Sequence, residues 1–153
     1  MGKASRDKGA AFEREVANAF RMAWNVEVER TPLSGGWGRK KTMGDLVFMN
    51  PVIDIFVECK NPKGINFETV FVPGNPTHPI WAWWENAKMQ AKQEDKRPVL
   101  IFKWWRSQTW VLMKSDTGPL RAVDPGNEVV SFTLFPMWLE QTRGHIDGLL
   151  HKV

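Results

Sequence analysis

The stretch Gly44–Lys60, GDLVFMNPVIDIFVECK, constrains the fold of this chain more than any other. Leu46–Met49 is an apolar run, Asn50-Pro51 is a turn signal, and Asp54–Lys60 alternates β-branched, aromatic and charged residues. Two strands joined by a short turn are the expected structure. With the turn centred between Pro51 and Val52, Met49 faces Asp54, Val47 faces Phe56 and Asp45 faces Glu58. Opposed residues of an antiparallel pair share a face, with Cβ atoms about 4.5–5.5 Å apart. Side chains two apart on one strand share a face as well, so Lys60 sits beside Glu58 and Cys59 points the other way.

Two carboxylates and an ammonium thus converge at the open end of a hairpin. Like charges this close disfavour each other's ionised forms unless a cation lies between them. A hard divalent ion such as Mg2+ suits an all-oxygen site and keeps several waters. Lys60 can hold or polarise an attacking water, or neutralise a phosphate oxygen. These are the parts needed for metal-assisted phosphodiester hydrolysis. The same residues would also serve as a salt-bridged strand end on a surface, so the rest of the chain has to decide between the two.

A length of 153 residues fits one domain with a substantial core. The net charge of +4 favours an anionic partner, and its weight depends on where the charge lies. The single cysteine, Cys59, excludes an internal disulfide and is expected to pack as a small hydrophobe. His78, His145 and His151 show no zinc spacing. No apolar run approaches the roughly 20 residues of a membrane span, and no signal-peptide pattern is present. A cytoplasmic protein without membrane contact is expected.

The chain divides as follows. Residues 1–8 are polar and basic and read as a frayed N-terminus. From Gly9 to about Trp24, Phe12, Val16, Ala19, Phe20 and Ala23 recur at the helical period. Glu13 lies beside that stripe, on the line Glu13, Ala17, Phe20, Trp24; as a first-turn acid it would also suit the helix macrodipole. Asn25 is a helix stop, and Val26–Arg30 alternates as a strand. Residues 31–43 form a mobile basic loop: three glycines, Trp37 at the centre, and Arg39, Lys40 and Lys41 with no acid among them. Such a loop suits nucleic-acid backbone or an unstacked base. Residues 61–79 read as loop with a short edge strand over Phe67–Val72. Ile80–Asp95 reads as a helix, with Trp83 and Trp84 in the core or an interface. Val99–Trp105 and Thr109–Lys114 follow as strands, Asp116–Asn127 as loop, Glu128–Leu134 as a strand and Pro136–Arg143 as a short helix. Trp138 and Leu139 on that helix are candidates for a dimer surface. The pattern predicts a single-domain α/β fold with a central mixed β-sheet flanked by helices.

The chain resembles the PD-(D/E)xK nuclease superfamily, and within it the archaeal-type Holliday junction resolvases and their phage relatives. The resemblance rests on G-x-x-F-E-R-E-V at Gly9–Val16, R-T-P-L-S-G-G-W at Arg30–Trp37, G-D-L at Gly44–Leu46 and V-E-C-K at Val57–Lys60. K-x-Q-A-K-Q at Lys88–Gln93 and P-V-L-I-F-K at Pro98–Lys103 extend it. It implies a restriction-endonuclease-like fold. It implies Asp45, Glu58 and the Cys59 backbone carbonyl as metal ligands, helped by Glu13, with Lys60 as the catalytic lysine. Arg14 matches the arginine after the helix glutamate. Arg14 and Arg30 would contact DNA, with Trp37, Arg39, Lys40 and Lys41. Ser34 falls where resolvases carry a functional serine, in a loop longer here than in the short archaeal enzymes. Gln90 or Gln93 would match a supporting glutamine. Mg2+, replaceable by Mn2+, is the implied cofactor, with no small-molecule cofactor, and the implied assembly is a homodimer on branched DNA. Two further readings stand beside this one. One is a related phage nuclease acting on other branched or free-end DNA; the other is a DNA-binding module without catalysis.

Overall fold

The computed structural model describes residues 2–31, 44–71, 77–104 and 108–151. Helix α1 runs Lys3–Trp24 and stops at Asn25, whose left-handed backbone returns an amide to Arg21 O. Strands β1 (Val28–Arg30), β2 (Leu46–Phe48) and β3 (Ile55–Lys60) follow, then a 3-10 helix over Phe67–Phe71. Helix α2 (Pro79–Gln93) leads to β4 (Arg97–Trp104), β5 (Gln108–Lys114), β6 (Leu120–Val123), β7 (Val129–Leu134) and α3 (Phe135–Leu150).

The strands form one sheet in the order β1-β2-β3-β4-β5-β7-β6. Only β3 and β4 are parallel, as the α2 crossover between them requires. Alternate residues of the sheet feed two apolar layers. Leu46, Ile55, Val57, Val99, Ile101 and Val111 pack under α1 and α3. Leu100, Phe102, Leu112 and Phe132 pack under α2 and the 3-10 helix, with Phe56 against Ala87 and Ala91. This is an α/β fold with a mixed sheet and helices on its faces, of restriction-endonuclease-like form. Among the described residues no helix is long and apolar enough to cross a membrane.

Several boundaries differ from expectation. Helix α1 begins at Lys3 rather than Gly9, so the segment read as frayed forms its first two turns. Phe67–Phe71, the described part of the expected edge strand, is not a strand. Asn66 starts a 3-10 helix there, its Oδ1 accepting from Glu68 N and its O from Thr69 Oγ1, and Phe67 and Val70 turn inward three residues apart. The stretch read as loop after Asp116 contains β6, and α3 continues to Leu150 because Ile146 still reaches the core. Trp138 and Leu139 offer no dimer surface. Both are buried, Trp138 against Trp24 and Leu139 O accepting from Trp24 Nε1.

Candidate active site

The expected hairpin register is the observed one: Leu46 pairs with Val57, which brings Asp45 and Glu58 opposite each other. The ladder changes at that point. Asp45 N donates to Val57 O, while Asp45 Oδ2 accepts from Cys59 N at 2.7 Å. Gly44 makes this possible. Its φ is +72°, and a Cβ on it would lie 2.7 Å from Val57 O. The Gly-Asp pair therefore sets the aspartate down onto β3, where a longer residue in place of the glycine would hold it off.

Glu58 and Lys60 share the face of β3 that carries Phe56, and Lys60 Nζ lies 3.5 Å from Glu58 Oε1. The first half of β3 is buried and the second half is half-buried, so the site opens at the C-terminal end of a parallel strand, where open α/β sheets bind ligands. Lys60 Nζ also lies 5.9 Å from the centroid of the Trp83 ring on α2. Cys59 faces the other layer and packs against the core under α1.

Glu13 reaches the same region from α1. It is buried, and Arg30 Nε and Nη2 both donate to its Oε1 at 3.2 Å. Because α1 starts at Lys3, Glu13 lies in the third turn, beyond the reach of the macrodipole's positive end. The helix-end explanation for this acid fails; a buried carboxylate here needs another.

The electrostatics tie the three acids together. Burial, and then the charge of Glu58, push the Asp45 carboxyl up to about 7. Burial raises Glu58 too, against the pull of Lys60, and the two carboxyls share a hydrogen bond. Glu13 is raised by burial and by Asp45, against Arg30. Three acids held above their ordinary range and within reach of one another's charge are short of positive charge. Among the described residues, no three His, Cys, Asp or Glu side chains are grouped so as to hold a metal ion. The donor set instead fits a hard cation held by two carboxylates, with its other positions left to water and substrate.

The other expected site residues are placed as follows. Arg14 is exposed on α1 next to Glu13. Ser34, Trp37, Arg39, Lys40 and Lys41 lie outside the described residues. Gln90 donates to Asn86, and Gln93 is exposed near the end of α2; neither bonds to Asp45, Glu58 or Lys60. Two features escaped sequence reasoning. Trp83 stands beside Lys60, a contact that depends on how α2 crosses β3. Arg21 and Asn18 join Arg14 and Arg30 around a cleft between α1 and β1; the i, i+4, i+7 spacing on α1 was its only trace.

The fold thus brings together acids from a helix and a hairpin with a lysine two residues past the last acid. The chain belongs to the family described as "Phage putative PDDEXK endonuclease", whose pattern it matches over residues 4–141. It is also similar to "Protein D14" of Escherichia phage T5, at 28% identity over 125 residues, or 78% of this chain and 76% of that protein. No solved structure matches it significantly.

Proposed function

We propose that the protein is a divalent-metal-dependent endonuclease that resolves four-way (Holliday) DNA junctions by phosphodiester hydrolysis, acting as a homodimer. The observation that carries the nuclease reading is the meeting of Asp45, Glu58 and Lys60 on one face of the β2–β3 hairpin, with Glu13 behind them. Junction preference and dimerisation come from the likeness to resolvases and from the basic 31–43 segment.

In this reading Asp45, Glu58 and the Cys59 carbonyl hold Mg2+ or Mn2+, with Glu13 behind them. When bound, such an ion supplies charge to the phosphate oxygens and makes water more acidic. The chain's own groups do the rest. Cys59 N fixes the Asp45 carboxylate. Glu58 and Trp83 hold the Lys60 ammonium at the mouth of the site, where it orients the attacking water or neutralises a phosphate oxygen. Arg14, with Arg39, Lys40 and Lys41, meets phosphates, so base sequence matters little. Ser34 and Trp37 are assigned to contact with the junction.

The test compares a four-way junction with a linear duplex of the same sequence in Mg2+. Cleavage confined to the junction is expected. Equal cleavage of both removes the resolvase reading and leaves a phage nuclease acting on other DNA. Asp45→Asn and Glu58→Gln are expected to bind the junction without cutting it. A variant that still cuts removes the site, and a parent that binds without cutting in any divalent metal leaves only a DNA-binding module. Sedimentation at micromolar concentration tests the dimer.

A further inference from the structure

A second concave site adjoins the first. It is a cleft of about 260 Å3 between α1 and β1, lined by Arg14, Ala17, Asn18, Arg21, Glu29 and Arg30. Buried Ala17 forms its floor. Arg30 closes the end nearest the acids through its bond to Glu13, and Arg21 lies seven residues further along α1 than Arg14.

The cleft is built from donors. Arg21 Nη1 donates to Asn18 Oδ1 at 2.7 Å, and Arg21 Nη2 donates to Val28 O. Those two bonds use two of the five guanidinium N–H groups and lock the plane in place. The Asn18 oxygen accepts from Arg21, so the polar group this lining residue has left to offer is its NH2, with two donors. Among the described residues Arg14 forms no ion pair, and its charge is felt at Glu13. The Arg30 charge is matched by Glu13, and Glu29 offsets one of the other two arginines. One net positive charge is left, which suits a single phosphodiester, and the Arg21 guanidinium is held in place to meet it.

We propose that this cleft binds a backbone phosphate of the DNA strand, apart from the phosphate at Asp45 and Glu58. Seven residues of helix span about 10 Å, roughly three base-pair steps of duplex. The Arg21 end of the cleft is displaced by that length from Arg14, which neighbours Glu13. The identity of the polymer rests on the nuclease reading; the affinity of the cleft for phosphate does not.

The test is a binding titration of the full chain against a labelled duplex in EDTA, where nothing is cut, across a range of salt. Arg14→Gln and Asn18→Asp are expected to weaken binding roughly tenfold, and Arg14→Gln to flatten the salt slope by about one. Arg21→Gln is expected to do the same, but it also releases Val28 O, so Asn18→Asp carries the test if that variant unfolds. Glu29→Gln is expected to tighten binding several-fold, an effect of opposite sign that unfolding cannot imitate. Arg121→Gln, on β6 at the far edge of the sheet, changes net charge equally and is expected to leave affinity at the parent value. The proposal is overturned if Arg121→Gln costs as much as Arg14→Gln, or if Asn18→Asp and Glu29→Gln both bind like the parent. Loss of cutting in Asp45→Asn with these affinities intact separates the two sites. A parent that never cuts, with the same affinity pattern, would remove the nuclease and keep the cleft.

Discussion

At the scale of single residues, Gly44 and Lys60 make opposite demands. Gly44→Ala forces a Cβ into a left-handed backbone against Val57 O. It is expected to destabilise the fold by about 2 kcal/mol, measured by urea unfolding, and to lower cleavage along with stability. Lys60→Met removes the ammonium that partly offsets the buried Glu58 and Asp45 carboxylates. It is expected to lower Tm modestly at pH 8 without unfolding the protein, while cleavage falls by about 100-fold or more. A Lys60→Met protein that cuts at the parent rate would take the lysine out of the chemistry. The Asp45–Glu58 pairing was legible in the sequence because the strand period of two and a single turn fix it. The depth of Glu13 was not: it depends on where α1 begins, and residues 3–8 carry no apolar stripe to announce a helix. They are held by the backbone ladder and good helix formers alone.

At the scale of elements, what was legible followed burial. The strand β4, buried in its middle on both faces, reads as a continuous apolar run, and α2 shows its Trp81, Trp84, Ala87, Ala91 stripe plainly. The edge strand β6 has no buried residue, so nothing in Leu120–Val123 separates it from a loop except its partner β7. Its hairpin is anchored from outside. Asp124 accepts from Trp84 Nε1 at 3.0 Å, from Lys88 Nζ at 2.7 Å and from Glu128 N at 2.9 Å. The Lys88 ammonium beside it holds the Asp124 carboxyl below its ordinary range, against the opposing effect of burial. Asp124→Ala leaves the buried Trp84 indole N–H without its acceptor and removes one of three carboxylates from Lys88, which keeps Glu85 at 2.8 Å. It is expected to cost about 2 kcal/mol and to speed amide exchange in β6 and β7 ahead of the rest of the sheet. Uniform exchange across all strands would show that the hairpin does not depend on this anchor.

At the scale of the whole molecule, the crowded acids link stability to pH and to metal. The Asp45 carboxyl titrates near its ordinary 3.8 in the unfolded chain and near 7 in the folded one. Between those values the folded state binds the extra proton, so stability falls as pH rises from about 4 to 7 and levels off above. The raised Glu58 and Glu13 act in the same direction. Asp124 and Glu128 act oppositely: their lowered carboxyls stabilise the fold above about pH 4 and lose that contribution below it. The metal-free protein is therefore expected to be most stable near pH 5 and weaker at pH 8 by roughly 2 kcal/mol, the acids titrating together rather than one by one. Asp45→Asn removes the charge at the centre of the cluster and is expected to melt above the parent at pH 8 and to lose most of the dependence. A cation between the carboxylates does the same without mutation. At ten times its Kd it adds about 1.4 kcal/mol, or about 3–5 °C in Tm for a chain of this size. Calorimetry at pH 8 is expected to show that rise with Mg2+ or Mn2+ in the parent and none in Asp45→Asn. An equal rise in both proteins would put the metal elsewhere, and no rise in either would leave three crowded acids without the charge that explains them.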